Sequence, residues 1–294
     1  MQAIIDVKNL VKKLGPIAAV DNVSFKIMPG VCFGLLGPNG AGKTTTIEVI
    51  EDVISATSGE ILYKNKPRNA SFRDHVGIQF QNTALLNFLT VRETLETFQR
   101  LYLKTARIDD LATLCQLSEF MDQYNDKISG GQRQRFLLSL ALINQPELII
   151  LDEPSTGLDP QARRNLWDLI RKIKKEGKTI ILTTHYMEEA QTLCDEIAIM
   201  DHGQIISRGT PTELIRRHSP LMKVILPRAR FMPAAQDVAL PYREVEDTIE
   251  IETGDVNACM NKLLSQNIDL SEISVRSPNL ETVFLNLTGR KLRE

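Results

Sequence analysis

The chain has 294 residues, a formal net charge of −2 and four widely separated cysteines. This length allows about two domains with buried cores, and the near-neutral charge gives no electrostatic basis for binding nucleic acid. No two cysteines form a CxxC pair, which fits reduced cytosolic thiols better than a disulfide framework or a zinc site.

No apolar segment approaches the ~18 residues that cross a bilayer, and the N-terminus has no signal-peptide pattern. If the protein works at a membrane, we expect another chain to carry the membrane spans. The basic run at residues 171–175 is interpreted as a solvated helix face rather than a lipid-binding one.

The first elements are short strands predicted at residues 4–7 and 23–27, separated by a break over residues 12–16. An apolar run at residues 31–36 predicts a buried parallel strand, and residues 46–50 predict the first helix.

A glycine-rich stretch between that strand and helix has the spacing of a phosphate-binding loop. Its residues are Gly37, Pro38, Asn39, Gly40, Ala41, Gly42, Lys43, Thr44 and Thr45. Glycines let backbone N–H groups turn toward a phosphate at a helix N-terminus. We expect Lys43 to reach the β- and γ-phosphates and the Thr44 hydroxyl to ligate Mg²⁺. The alternative is a glycine-rich turn without a ligand, but the loop, the lysine, the threonine and the flanking elements all agree.

The middle of the chain begins with strands predicted at residues 60–63 and 75–80, the second ending at Gln81. Thr90 and Glu93 form a candidate capping box, and residues 91–145 predict helices only. This pattern indicates a helical insertion within an α/β domain. On local grounds Gln81 is only a turn residue.

A second candidate anion site lies late in that insertion, where Ser129, Gly130, Gly131 and Gln132 precede an apolar helix. Ser129 can cap the helix while the glycines expose backbone donors at its start. Spacing alone favours a plain capped helix.

Two acidic residues, Asp152 and Glu153, follow a buried strand predicted at residues 148–151. Ligands bind at the carboxyl ends of strands in open parallel sheets. We assign Asp152 to the Mg²⁺ shell and Glu153 as the general base that polarises the attacking water. A surface turn explains such a pair equally well in isolation, but the phosphate loop upstream favours nucleotide chemistry.

The next strand, predicted at residues 179–183, leads into His185. A lone histidine is more often a hydrogen-bonded core residue, but this position beside the expected phosphate site favours a functional role. Asp159 precedes Pro160 as an N-cap before a proline at N1, so capping alone would explain it. Residues 197–206 predict a closing hairpin.

Prolines gather in the tail, and we place a domain boundary near residue 218. Residues 219–294 are predicted to form a small α+β domain rich in βαβ units. The prolines are Pro220, Pro227, Pro233 and Pro241, the strand candidates are 222–226, 247–252 and 270–275, and the helix candidates are 255–266 and 279–288.

Residues 1 to about 218 resemble the ATP-binding subunit of an ABC transporter, because six motifs of that family occur in its order. They are the Walker A loop 37–45, Gln81 as the Q-loop, the signature Ser129–Gln132, Walker B at Asp152 and Glu153, Asp159 in the D-loop, and His185 as the switch. The fold that the resemblance implies is an α/β P-loop NTPase: a RecA-like core with an antiparallel β subdomain and a helical subdomain at about 83–145.

The resemblance also implies ATP and Mg²⁺ as cofactors and a head-to-tail pair of ATPase subunits, identical or different, that clasps two ATP molecules. Ser129, Gly130 and Gly131 of one subunit would cover the ATP held by the Walker A loop of the other. His185 would contact the γ-phosphate, Gln81 would sense Mg²⁺ and water, and Asp159 would communicate across the dimer. A polytopic membrane permease would be the partner at the cytoplasmic face of the membrane, touching residues 85–93.

Residues 277–290 resemble the closing segment of ABC-2 type exporter ATPases, including those of daunorubicin-resistance systems. This favours export of a drug, lipid or polysaccharide. The alternative is a soluble ABC ATPase of translation or DNA repair, although those carry tandem cassettes or long coiled coils. A regulatory module without turnover would need a broken site. The chain departs from the family at Ile128, which stands for leucine, and at Leu14, where an aromatic residue usually stacks on adenine.

Overall fold

The protein is seen in a computed structural model that describes residues 2–69, 71–232 and 240–289. It divides into two compact units, Met1–Pro211 and Thr212–Lys291. The predicted boundary near residue 218 lies at the end of a helix, Pro211–His218, rather than at this division. The features noted at Pro233 and Arg290 lie outside the described residues. In the part of the chain that the structure describes, no helix is long and apolar enough to cross a membrane.

The described residues of the first unit form ten strands. They are β1 (Ile5–Leu14), β2 (Ile17–Ile27), β3 (Cys32–Leu36), β4 (Ser58–Tyr63), β5 (Lys66–Pro67), β6 (Val76–Gln79), β7 (Leu148–Asp152), β8 (Thr179–Thr184), β9 (Glu196–Asp201) and β10 (Gln204–Gly209). Its helices are α1 (Lys43–Ile50), α2 (Phe72–His75), α3 (Val91–Gln99), α4 (Ile108–Leu114), α5 (Gly130–Leu142), α6 (Pro160–Lys175) and α7 (Met187–Leu193), and α8 (Pro211–His218) follows at the division.

A six-stranded sheet, ordered β10-β9-β3-β8-β7-β6, forms the centre of this unit. Its strands run parallel except for β10, which closes the β9–β10 hairpin. Every residue of β3, β7 and β8 is buried, as expected for a parallel sheet covered on both faces. The buried strands and the hairpin predicted from the sequence are confirmed.

A second, antiparallel sheet has the order β2-β1-β4-β5. Its strands β1 and β2 are much longer than predicted, and the break predicted over residues 12–16 is confined to Gly15 and Pro16, because residues 12–14 belong to β1. Register shifts interrupt the β1–β2 pairing at several points. Each shift disturbs the alternation of buried and exposed residues, which is why the sequence pattern showed only short strands.

The predicted helical insertion is confirmed: α3, α4 and α5 lie between β6 and β7 in the chain, with only an isolated bridge between Thr90 and Tyr124. Helix α3 begins with the predicted capping box. The Thr90 hydroxyl accepts from the Glu93 N–H at 3.2 Å, and the Glu93 carboxylate accepts from the Thr90 N–H at 2.8 Å.

The second unit has its own core and an antiparallel sheet ordered β12-β13-β11-β14. Its elements after α8 are β11 (Met222–Pro227), α9 (Arg228–Phe231), β12 (Arg243–Val245), β13 (Thr248–Thr253), α10 (Val256–Ser265), β14 (Ser274–Arg276) and α11 (Leu280–Thr288). Strands β13 and β14 both pair antiparallel with β11, so α10 connects two parallel strands in a βαβ unit split by β11. The strand predicted at 270–275 overlaps β14 only in part.

Glu51 is one of several ionisable residues buried in the first unit. Glu51, at the C-terminal end of α1, is 4% exposed. Burial, reinforced by the charges of Asp152 and Glu48, raises the pKa of Glu51 from its ordinary 4.5 to about 8. The folded protein therefore holds a proton that the unfolded chain releases.

Stability is consequently expected to fall as the pH rises from about 5 to about 8, by at most about 1.4 kcal/mol per pH unit from this group. Glu51→Gln cannot ionise and escapes this loss. Urea unfolding of both proteins should therefore show the variant gaining on the wild type as the pH rises. Parallel stability curves over this range would contradict the assignment.

Candidate functional site

The candidate site lies where three neighbouring strands end. Strands β3, β8 and β7 are adjacent and parallel, so their carboxyl ends meet at one edge of the sheet. The loop 37–45 follows β3, Asp152 ends β7, and His185 follows β8 directly. Residues far apart in the sequence are thereby brought to one edge, as expected for ligand sites in open α/β sheets.

Two glycines of the loop are required by close backbone contacts. A Cβ at Gly37 would lie 2.3 Å from the Met200 carbonyl oxygen. Gly42 has φ +100°, and a Cβ there would lie 2.2 Å from the Ala19 carbonyl oxygen. Only glycine fits such positions, and the loop can then turn its backbone into the start of α1 at Lys43.

Lys43 is 4% exposed, and its ammonium group is hydrogen-bonded to the backbone of the loop. Nζ donates to the carbonyl oxygens of Gly37 at 2.8 Å and Pro38 at 3.2 Å. Burial lowers the pKa of Lys43, whereas the charges of Glu153 and Asp152 oppose that shift. The ammonium group is thus held by two backbone carbonyls of the loop, near the carboxylates of Glu153 and Asp152. It can exchange these carbonyls for the oxygens of an anionic ligand.

Glu153 is the residue on which the other side chains converge. Its Oε2 accepts from Gln81 Nε2 at 3.1 Å and from Thr156 Oγ1 at 3.2 Å. The same oxygen lies 3.3 Å from His185 Nδ1. His185 is the main cause that lowers the pKa of Glu153, against the effect of burial. The carboxylate therefore stays ionised at neutral pH, as a proton acceptor requires.

The backbone of Glu153 is held in the left-handed region, at φ 48°. Its N–H donates to Thr183, to the carbonyl oxygen at 3.2 Å and to Oγ1 at 3.0 Å. The Thr183 hydroxyl in turn donates to the Asp152 carboxylate. These hydrogen bonds hold Glu153 in a backbone conformation that is unfavourable for a residue other than glycine.

Sequence reasoning missed Thr183 and Thr156. Thr183 is the register partner of Asp152 across β7 and β8, and no sequence pattern specifies which residues of two strands face one another. Burial raises the pKa of Asp152, and the hydrogen bond from Thr183 opposes the rise. The two adjacent carboxyl groups therefore have opposite pKa shifts.

A cleft of ≈ 610 Å³ joins these groups to the antiparallel sheet. Its lining residues are Leu14, Ala19, Asn39, Gly40, Gly42, Lys43, Thr44, Thr45, Gln81, Glu153, Thr156 and His185. The end of β1 contributes Leu14, which is 52% exposed. The cleft thus unites the phosphate loop, the polar groups at the strand ends and an apolar side wall.

The signature residues and Asp159 do not line this cleft. Ser129 caps α5: its hydroxyl accepts from the Gln132 N–H at 3.3 Å, and Gln132 Oε1 accepts from the Ser129 N–H at 2.8 Å. Asp159 caps α6 by accepting from the N–H groups of Gln161 and Ala162, both at 2.9 Å. The capping roles expected from the sequence are confirmed for both residues.

The polar groups fit a magnesium nucleotide better than a resident metal ion. Among residues 2–69, 71–232 and 240–289, no group of three or more His, Cys, Asp or Glu side chains could hold a metal. Mg²⁺ commonly takes one or two carboxylates together with substrate phosphates and waters. Thr44 and Gln81 line the cleft. Asp152 lies near enough to Lys43, another lining residue, for its negative charge to favour the protonated ammonium group.

Comparisons with known proteins agree with this geometry. Residues 20–156 match the family described as ABC transporter. The chain is 36% identical to Nod factor export ATP-binding protein I of Bradyrhizobium diazoefficiens, covering 99% of this chain and 98% of that one. It is 35% identical to linearmycin resistance ATP-binding protein LnrL of Bacillus subtilis, covering 98% of this chain and 99% of that one.

Solved structures resemble the first unit's fold. One is cbiO1 from Clostridium perfringens, part of an ABC transporter complex, with a TM-score of 0.67 and 26% identity over 75% of this chain and 97% of that one. Another is a dimeric, post-hydrolysis ATP-binding cassette bound to ADP and Pi, with a TM-score of 0.62 and 26% identity over 70% of this chain and 98% of that one.

The position of Leu14 predicts the effect of an aromatic side chain. Leu14→Tyr should tighten ATP binding, by about tenfold or less, because stacking on a base contributes about 1–3 kcal/mol and leucine already supplies some apolar contact. Nucleotide titration of both proteins measures this. An unchanged or weaker affinity would argue against adenine lying at this wall.

Proposed function

Because the chain belongs to the family of ABC transporter ATP-binding proteins, we propose that it hydrolyses ATP to power export through a separate membrane-spanning permease. The observation that carries this proposal is the convergence of Gln81, Thr156 and His185 on one ionised carboxylate, Glu153, beside the phosphate loop. A relative named for Nod factor export and one named for linearmycin resistance match 99% and 98% of this chain, so the similarity extends into its second unit.

The proposed reaction begins with a transfer of the Lys43 ammonium group. On ATP binding, Nζ leaves the carbonyl oxygens of Gly37 and Pro38 for the β- and γ-phosphates. Thr44, Gln81 and Asp152 are the residues that would hold Mg²⁺, which when bound neutralises phosphate charge. The loop N–H groups at the start of α1 complete the anion site.

Glu153 then acts as the general base. Its carboxylate orients a water molecule and takes a proton from it as the water oxygen attacks the γ-phosphorus. The bond from that phosphorus to the bridging oxygen breaks, leaving ADP and phosphate. His185, which lies against Glu153, would contact the γ-phosphate.

The signature residues would act on the nucleotide of a second subunit. Ser129 and Gly130 are exposed at the N-terminus of α5. A Cβ at Gly130 would meet, among the described residues, only a Leu158 methyl group at 4.0 Å, so this fold does not itself require glycine there. In a head-to-tail pair, the ATP held by the partner subunit would lie close to this position. The need to leave room for that ATP would explain why the position is a glycine.

The partner that carries the membrane spans is proposed to be a polytopic permease, which holds this subunit at the cytoplasmic face of the membrane. The proposed contact segment is residues 85–93, where Leu86 and Phe88 are exposed. A drug, lipid or polysaccharide is the proposed cargo, because the relatives are named for Nod factor export and for linearmycin resistance.

Gly130→Ala tests the role of the signature glycine. The isolated subunit should fold with equal or slightly greater stability, because alanine is a better helix former and has room here. Its ATP affinity should be unchanged, whereas its turnover should fall by about tenfold or more as the methyl group obstructs the partner's nucleotide. Wild-type turnover in this variant would show that Gly130 does not lie against the partner's nucleotide.

Co-expression with any six-span permease found to be encoded beside this chain tests the exporter function. The two should co-purify and hydrolyse ATP. Glu153→Gln should co-purify equally well but turn over about 10²–10⁴-fold more slowly, as loss of a general base predicts. Near-wild-type turnover would show that the base is misassigned. If the chain co-purifies with no permease, the alternative function is favoured, that of a soluble ABC ATPase of translation or DNA repair.

A further inference from the structure

A buried set of hydrogen bonds lies outside the nucleotide cleft, and the reaction proposed above does not use it. Its centre is Glu189, a fully buried residue in the first turn of α7. Glu189 Oε1 accepts from Trp167 Nε1 of α6 at 2.9 Å and from the hydroxyl of Ser155, which is also fully buried. Trp167 Nε1 lies 3.1 Å from Ser155 Oγ as well. We call these three residues, none of which lines the cleft, the Glu189 network.

The Glu189 network joins the two chain segments that carry Glu153 and His185. Ser155 is two residues after Glu153, and the next residue, Thr156, donates to the Glu153 carboxylate at 3.2 Å. Glu189 is four residues after His185, whose Nδ1 lies 3.3 Å from the same carboxylate. The bond between Ser155 and Glu189 therefore links, outside the cleft, two segments whose side chains meet inside it.

The network also holds the loop that leads to Asp159. The Leu158 N–H donates to the carbonyl oxygen of Ser155 at 3.2 Å, and Asp159 follows as the N-cap of α6. Trp167 belongs to the same helix. The loop between Glu153 and Asp159 is thus attached at its middle to α6 and to α7, so it cannot move independently of the helix that follows His185.

A stable core does not by itself call for an acid at this position. Burial raises the pKa of Glu189, and hydrogen bonds from Ser155, Thr184 and Trp167 oppose the rise. Replacing a set of buried polar partners by apolar side chains of similar volume is often neutral or stabilising. What apolar side chains cannot supply is direction, because two donors from different elements must reach one oxygen at hydrogen-bond distance.

We propose that Glu189 is a positioning residue for ATP hydrolysis, which fixes the separation of Glu153 and His185 by holding Ser155 and Trp167 against α7. This inference rests on the proposed function. The role needs the acceptor oxygen of Glu189 rather than its charge. Because misplacing a catalytic group by about 1 Å can slow a reaction about a hundredfold, a loosened loop should slow hydrolysis far more than it weakens ATP binding.

Variants at Glu189 in the full-length chain test this role by turnover and by ATP titration. Glu189→Leu removes the acceptor at similar volume, and its kcat should fall about ten- to a hundredfold. Its Kd for ATP should stay within about threefold of wild type, because Glu189 lies outside the cleft. Glu189→Gln keeps an acceptor oxygen and should stay within about threefold of the wild-type kcat. Turnover is expressed per ATP-binding site, so that partial unfolding cannot imitate a lower kcat.

Ser155→Ala tests the same link with a smaller change in the core. Its kcat should fall about fivefold or more, and adding it to Glu189→Leu should slow turnover little further, because both changes break one link. Ser139→Ala is the matched control: Ser139 is equally buried, but its hydroxyl donates to the Phe136 carbonyl oxygen within α5. The kcat of this control should stay within about twofold of wild type.

The outcomes separate the inference from the function beneath it. If Glu189→Leu and Ser155→Ala hydrolyse ATP within about twofold of wild type, Glu189 does not position the site, and the ATPase function stands. The same conclusion follows if Glu189→Gln is as slow as Glu189→Leu. If Glu189→Leu does not fold, Ser155→Ala and Glu189→Gln decide the question. If the wild-type chain hydrolyses no ATP, the inference and the proposed function fail together.

Discussion

The chemistry of this protein depends on three buried strands, β3, β8 and β7, that lie side by side and run in the same direction. Because they end at one edge of the sheet, the phosphate loop, the paired carboxylates and His185 are neighbours, although the sequence separates them widely. The apolar residues of these strands are buried on both faces. Because the sheet is densely packed, it holds the polar and charged groups at its edge in fixed positions, even though some of them repel one another.

Environment, rather than residue type, divides the work of the two adjacent acids. Asp152 is enclosed with the Thr183 hydroxyl, and burial raises its pKa. Glu153 faces the cleft, where His185 lowers its pKa and three side chains orient it. Two carboxyl groups whose surroundings move them in opposite directions can hold different roles, one beside a cation and one as a base.

Much of this site was predictable because its signals are local. Strand, loop and helix around Lys43, the caps at Ser129 and Asp159, and the buried strands all follow from residue type and spacing. The contributions of Thr183 and Thr156 were not predictable, because they depend on register and loop conformation. The lengths of β1 and β2 were missed because bulges break their alternation. The burial of Glu51 was also missed, since nothing near it in the sequence distinguishes a buried glutamate from a solvated one.

The central claim is that each nucleotide is held between the loop of one subunit and the signature residues of another. Asn39 and Ser129 are both exposed, and all the cysteines of the described chain are buried. In the Glu153→Gln background, subunits carrying Asn39→Cys can be mixed with subunits carrying Ser129→Cys and treated with a short thiol cross-linker. The account predicts a cross-linked dimer that needs ATP and forms in the mixture but in neither variant alone. Equal cross-linking in each variant alone, or none in the ATP-bound mixture, would contradict it.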